Sequence, residues 1–301
     1  MGSTFFITGQ EVRQAARANS HTSTTAGLAP GHIQANLIVL PSKYATDFRT
    51  LCQRNPVPCP LLAESTKPGC WSAIKSCIPS IPSTTLINQS SDLDLRRDIP
   101  RYMVYHDGEL DESAEHTDLF THWRDDDHVA FLIGCSFSFE AALCEADLAP
   151  GHIVGGMNVP MYRTTLPLNP AGVFTGGTYV VSMRVYKAQD IDHVRATTAP
   201  YASAHGEPIA WGWDAVSRLG IADVLQPEWG DCPLGPDGKE LEFGPQDGGG
   251  IDCGEIVPVF WGCGVTPQEA VMRAGLQGTA MAHAPGHMLV LDCLDEVLKA
   301  Q

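Results

Sequence analysis

The chain has 301 residues, 44% hydrophobic and 18% charged, enough apolar material for one large or two modest domains with a real core. Its 35 acidic against 19 basic residues give a formal net charge of -16 with no basic run, which excludes a sequence-independent grip on nucleic acid or an anionic membrane. The first residues carry no secretory pattern and no apolar stretch reaches about 18 residues, so a soluble, cytoplasmic protein is expected, an organelle staying open.

In chain order, Thr8 to Asn19 reads as a helix with Thr8 and Glu11 spaced as a capping box. "IQANLIVLP" reads as a strand stopped by Pro41, followed by a helical "YATDFRTLCQRN" and an extended "PVPCPLL". "RYMVYHDGEL" gives a strand ending in an Asp-Gly turn. The most informative unit is "HVAFLIGCSFSFEAALCEADL": an apolar strand enters a Gly-Cys-Ser turn and leaves as a helix that Ser136 or Ser138 can cap. The same grammar returns in "IVPVFWGCGVTPQEAVMRAGL", with Thr266 as N-cap, Pro267 in the first turn and Glu269 at its third position. Between these elbows, "NVPMYRTTL", "TYVVSMRVY", "AQDIDHVRATTAPYAS" and "EPIAWGW" give strand, strand, helix, strand. Residues 235–255 read as a loop or hairpin excursion rich in Gly, Pro and acid. Strands alternating with helices predict an α/β fold: a mainly parallel three-layer α/β/α domain, residues 1–152 and 250–301, with a smaller two-layer α+β subdomain, residues 153–249, inserted into it.

A thiol in the first turn of a helix feels unpaired N–H groups and the positive helix end, so Cys135 and Cys263 are candidate thiolates. Two such elbows resemble the paired cysteines of cofactor-independent racemases; the bland alternative is a small buried residue at a tight turn. First-turn amides with Ser136, Ser138 and Thr266 make a cradle for a carboxylate. Arg163 and Arg184 can clamp an anion or form structural ion pairs, and Asn158 and Tyr162 can orient a ligand. Alternation puts Tyr162 and Arg163 on opposite strand faces. His205, on a glycine turn, and His287 are candidate proton carriers.

Ten cysteines without a secretory signal read as free, mostly buried thiols, and spacings such as Cys253 to Cys263 miss the knuckles of structural zinc. "RDDDH" at Arg124 to His128 reads as solvated surface, so no metal is assigned. Neither a P-loop, nor a dinucleotide fingerprint, nor a Gly-x-Ser-x-Gly elbow is present, and no cofactor is expected. The segment Ala-Pro-Gly-His occurs at residues 29–32, 149–152 and 284–287; all three read as turns, with only His287 kept as a site residue.

The collinear blocks "PGHIQANLIVLP", "RNPVPCPLL", "DIPRYMVY", "FLIGCSFSFEAAL", "NVPMYRT", "VVSMR", "HGEPI", "VPVFWGCGVTPQEA" and "APGHMLVLD" resemble the hydro-lyase family that includes D-glutamate cyclase, over nearly the whole chain. The resemblance implies a two-subdomain α/β structure and a reaction that removes water from D-glutamate to give 5-oxo-D-proline, reversibly. Where that family tends to read "HGAPVHIGDP" this chain has "HGEPIAWGWD", with Ala210 at the usual His and Trp213 at the usual Asp. With Trp211 and Trp213 as aromatic walls, a carboxylated or carbonyl metabolite bulkier than glutamate is the expected substrate. The resulting expectation is a cofactor-independent hydro-lyase for a small molecule, a homo-oligomer staying open. A two-cysteine racemase or another isomerase or cyclase, and a binding protein without chemistry, are the alternatives.

Overall fold

Helix α1 (Gly9–Arg17) begins where its caps place it: Thr8 Oγ1 accepts from Glu11 N at 3.2 Å, and Glu11 Oε2 accepts from Thr8 N at 3.1 Å. The structure is a computed structural model that describes residues 6–88, 92–111, 116–241 and 256–299. After α1 come β1 (His32–Pro41), α2 (Ala45–Arg54), β2 (Leu61–Ser65), β3 (Ile74–Ser76), α3 (Ser83–Leu86), β4 (Tyr102–His106), β5 (Glu109–Leu110) and β6 (His128–Gly134). Then follow α4 (Glu140–Glu145), α5 (Gly151–Gly155), β7 (Met161–Pro167), β8 (Thr178–Lys187), α6 (Ile191–Thr198), β9 (Ala210–Trp211) and α7 (Trp213–Arg218). The last described elements are β10 (Ile256–Gly262), α8 (Val265–Arg273), β11 (Thr279–His283) and β12 (Leu289–Leu294).

Among the described residues the strands form two sheets, one of eight strands in the order β3-β2-β6-β1-β11-β4-β5 with β12 also paired to β1, and one of four in the order β7-β8-β10-β9. Every pairing between these strands is antiparallel, which corrects the expected mainly parallel sheet. The physical reason lies in where the elbow helices lead. A βαβ unit returns the chain to its own sheet. Here α4 and α5 carry it from β6 in the large sheet to β7 in the small one, and α8 carries it from β10 in the small sheet back to β11 in the large one. Strand β10, which the sequence reading groups with the larger unit, lies between β8 and β9 in the smaller sheet.

The two sheets share one core. Ile33, Ala35, Leu37 and Val39 of β1 and Ala130 and Leu132 of β6 pack in the same buried cluster as Tyr186 of β8 and Val257, Val259 and Trp261 of β10. The alternate residues Ile38, Leu40, Phe131 and Ile133 face α2 through Phe48, Leu51 and Cys52. Burial on both faces is why β1 and β6 read as unbroken apolar runs. Two local expectations change: Pro56 to Cys59 is a turn, closed by Cys59 N to Asn55 O at 3.0 Å, and β2 starts only at Leu61. The Asp107-Gly108 turn between β4 and β5 has the positive φ values, 52° and 86°, that its sequence demands. Among the described residues no helix is long and apolar enough to cross a membrane.

Candidate functional site

Each crossing between the sheets is an elbow, so the two elbows meet. Cys135 and Cys263 fall in one buried cluster with Phe137, Val159, Met161, Val180, Val265 and Met288. Close packing fixes both turns. A Cβ on Gly134 would lie 1.9 Å from Ser203 O, and one on Gly264 would lie 1.9 Å from Asn36 Nδ2. Asn36, on β1, also donates to the Gly134 carbonyl at 2.9 Å, so a single side chain bridges the two elbows.

The expected caps are not made. A tight turn of 3-10 helix over Ser136–Phe139 precedes α4, neither α4 nor α8 has a side-chain cap, and Gly264 occupies the cap position of α8. Ser138 Oγ instead accepts from Gln34 N at 3.0 Å and donates to Gln34 O at 3.3 Å. Thr266 Oγ1 does the same to Val180, at 2.9 and 3.0 Å. Both hydroxyls pin an elbow to the neighbouring strand.

Burial decides the state of the thiols. It pushes Cys263 up to about 11 and Cys135 further still, although the amides of Val265 and Phe137 each lower the thiol they face. Both groups therefore rest as thiols near neutral pH, a correction to the thiolate expectation. All described cysteines are free and five of them are buried; Cys253 lies outside the described residues, as does 242–255 of the expected excursion.

Arg184 lies in the core between the sheets, 3% exposed. Its Nε is 3.2 Å from Glu140 Oε1, its Nη2 donates to Ser136 Oγ at 3.0 Å and its Nη1 to Ser182 Oγ at 3.1 Å. Trp261 and Phe139 cover the guanidinium at 5.1 and 5.4 Å. His152 Nε2 reaches the same Glu140 oxygen at 3.0 Å. Glu140 stays ionised in this company: burial opposes its charge, and His152 and Arg184 together outweigh burial. The sequence reading gives Glu140 no role and places His152 only in a turn. In fact the second Ala-Pro-Gly-His copy is not a turn but the start of α5, whereas Gly31 and Gly286 of the other copies have φ of 76° and 85°. The signal for His152 was its closeness in sequence to the first elbow.

Other candidates separate. Asn158 packs against Gly286 with its buried Oδ1 unpartnered, and His287, with Nδ1 3.0 Å from Pro285 O, precedes Met288 of the thiols' cluster. His205 Nδ1 donates to Val57 O at 2.8 Å, and burial lowers the ring to about 4, so it is a neutral packing residue beneath the first elbow. Tyr162 donates to Val224 O at 2.5 Å inside the small sheet's own core. Arg163 forms a two-pronged pair with Glu269, at 2.9 and 3.1 Å, and leaves the site. Trp211 is 38% exposed under the Arg195 guanidinium, and Trp213 donates to Ile256 O at 3.0 Å, so neither walls the thiol cluster.

The family model described as D-glutamate cyclase matches residues 129–292, a span that holds both elbows and the Arg184 network. A protein of Bordetella petrii is 47% identical over 288 residues, covering 96% of this chain and 95% of the relative. One of Schizosaccharomyces pombe is 43% identical over 94% of this chain and 83% of its own, and one of Rhodopseudomonas palustris is 45% identical over 95% and 91%. All three carry the name "putative hydro-lyase". By the family match and by identity of this extent, the chain belongs to the D-glutamate cyclase family.

Proposed function

We propose that the protein is a hydro-lyase that removes water from, or adds it to, a small carboxylate held between the two elbows. The observation that carries this reading is the convergence of two strand-Cys-helix turns on one buried cluster, in a chain of this family. Water loss needs a base for the proton that leaves and an acid for the departing hydroxyl. The two thiols differ in the required sense, because Cys263 ionises before Cys135. Cys263 first loses its thiol proton to solvent and as thiolate takes the substrate proton, Cys135 as thiol protonates the leaving oxygen so that water departs, and Cys135 then regains a proton from solvent, which balances the proton inventory. First-turn amides and Ser136, whose oxygen already accepts from Arg184, hold the carboxylate. The chemistry is carried by side chains and backbone, without a cofactor.

Trp211 and Trp213 lie away from the thiols and form no wall there, so D-glutamate is the first compound to try. Purified protein incubated with D-glutamate and related carboxylates should yield products lighter by one water, seen by mass spectrometry. Cys263→Ser and Cys135→Ser should each lower kcat about 10²- to 10⁴-fold; full activity in both variants sinks the thiol mechanism.

The matched grips of Ser138 and Thr266 favour a second reading, a racemase using one thiol on each side of a carbon acid. Solvent deuterium entering a stereocentre with no change in composition would select it over water loss.

A further inference from the structure

We propose a second site, a binding site for a divalent transition metal of the zinc class, built by His106, Asp111, His116 and His122 at the outer edge of the large sheet. The topology gathers these residues from a short stretch. Strand pairing sets Tyr105 opposite Leu110 and His106 opposite Glu109, and Asp111 N donates to Val104 O at 2.8 Å. His116 then pairs with Tyr102. Residues two apart on a strand share a face, so His106, Asp111 and His116 project to one side. The turn at 119–122, closed by His122 N to Leu119 O at 3.1 Å, brings in the fourth.

The ligand atoms of Asp111, His116 and His122 all lie within 4.8 Å of one another. His106 Nε2 is 3.4 Å from Asp111 Oδ2 and His116 Nε2 is 3.9 Å from it. Neighbouring ligands on a tetrahedral zinc stand roughly 3.3–3.6 Å apart, so closing this cluster on an ion requires movements of about 1 Å. The His116 and His122 rings are 4.8 Å apart edge to face, and His116 Nε2 is buried without a hydrogen bond. His106 Nδ1 is held at 3.2 Å by Thr279 Oγ1, which turns Nε2 toward Asp111, as the outer partner of a metal-bound imidazole does.

Three imidazoles with one carboxylate select zinc or a similar ion over magnesium or calcium. The site is not catalytic. Three strand spacings, about 14 Å, separate β4 from β6 and its elbow. Its effect is to fasten His116 and His122 to the β4–β5 hairpin.

Full-length protein freed of metal with a chelator should take up one Co²⁺ with the visible spectrum of a tetrahedral ion and no thiolate charge-transfer band, and Zn²⁺ should displace it and raise Tm. His122→Ala and Asp111→Ala should weaken uptake by more than 100-fold, and Thr279→Val, which keeps every ligand, by about 10- to 100-fold. Absence of stoichiometric uptake, a thiolate band, or equal uptake by wild type and His122→Ala would each overturn the proposal.

Discussion

The first elbow and the second share a backbone plan and differ in buried charge. In each, a strand ends at glycine, cysteine follows, and a hydroxyl three residues later grips both backbone groups of the residue beside the cysteine. Five residues after the cysteine they part. Glu140 joins Arg184 and His152 in the core, whereas Gln268 Nε2 donates to the Tyr105 hydroxyl at 3.0 Å. The backbone plan thus makes two equivalent turns, and the ion network puts a buried charge cluster at the first that the second lacks.

Removing the network breaks this comparison most severely. Arg184→Ala leaves Glu140 buried with only His152 beside it, and should cost about 3–5 kcal/mol in denaturant unfolding. The positional counterpart at the second elbow, Gln268→Ala, should cost about 1 kcal/mol. Equal losses would show that charge does not distinguish the elbows. The thiols themselves sharpen the contrast. As pH rises through the alkaline range, mapped alkylation should reach Cys263 before Cys135, following the order in which they ionise; the reverse order removes the assignment of base and acid.

Much of this was legible in sequence. Both elbows, the capping box of α1, the Asp-Gly turn and most strands follow from local patterns, because turn chemistry and apolar runs act over a few residues. Strand direction was not legible: a strand followed by a helix looks alike whether the helix returns to its own sheet or crosses to another. The fates of Ser138, Thr266, Arg163 and Tyr162 depend on Gln34, Val180, Glu269 and Val224, partners 62 to 106 residues away by chain position. The His106–His122 cluster is not legible in the sequence because its spacing matches no common ligand motif and its members come together only through the pairing of β4 with β5 and of Tyr102 with His116.

Acid tests the buried histidines around the elbow junction. Burial lowers His205, under the first elbow, and His283, on β11, to about 4 each. The folded state therefore binds these protons less readily than the unfolded chain, whose histidines titrate near about 6.5. Their contribution is fully present above that value and is lost as pH falls toward 4, at roughly 3 kcal/mol each. Asp295, raised to about 6 by burial, runs the other way, stabilising at low pH and losing that contribution as pH rises through 6. Stability measured between pH 7 and 4 should fall, and His205→Gln should flatten part of the fall; an unchanged slope would mean that His205 is not held neutral.

The hydroxyl grips give the finest test, because they are the part the elbows have in common. Ser138→Ala strips a partner from the Gln34 amide and Thr266→Val from the Val180 amide, each left inside the protein. Each should cost about 1–3 kcal/mol, with the two losses close to one another. Combining them with Arg184→Ala then separates shared plan from local charge. Ser138 follows Ser136, which Arg184 holds, so the first pair should couple, with a summed loss that departs from additivity by more than about 0.5 kcal/mol. Thr266 acts on Val180 alone and should add independently. Coupling at both elbows would mean that the Arg184 network braces the whole junction between the sheets rather than the first elbow alone.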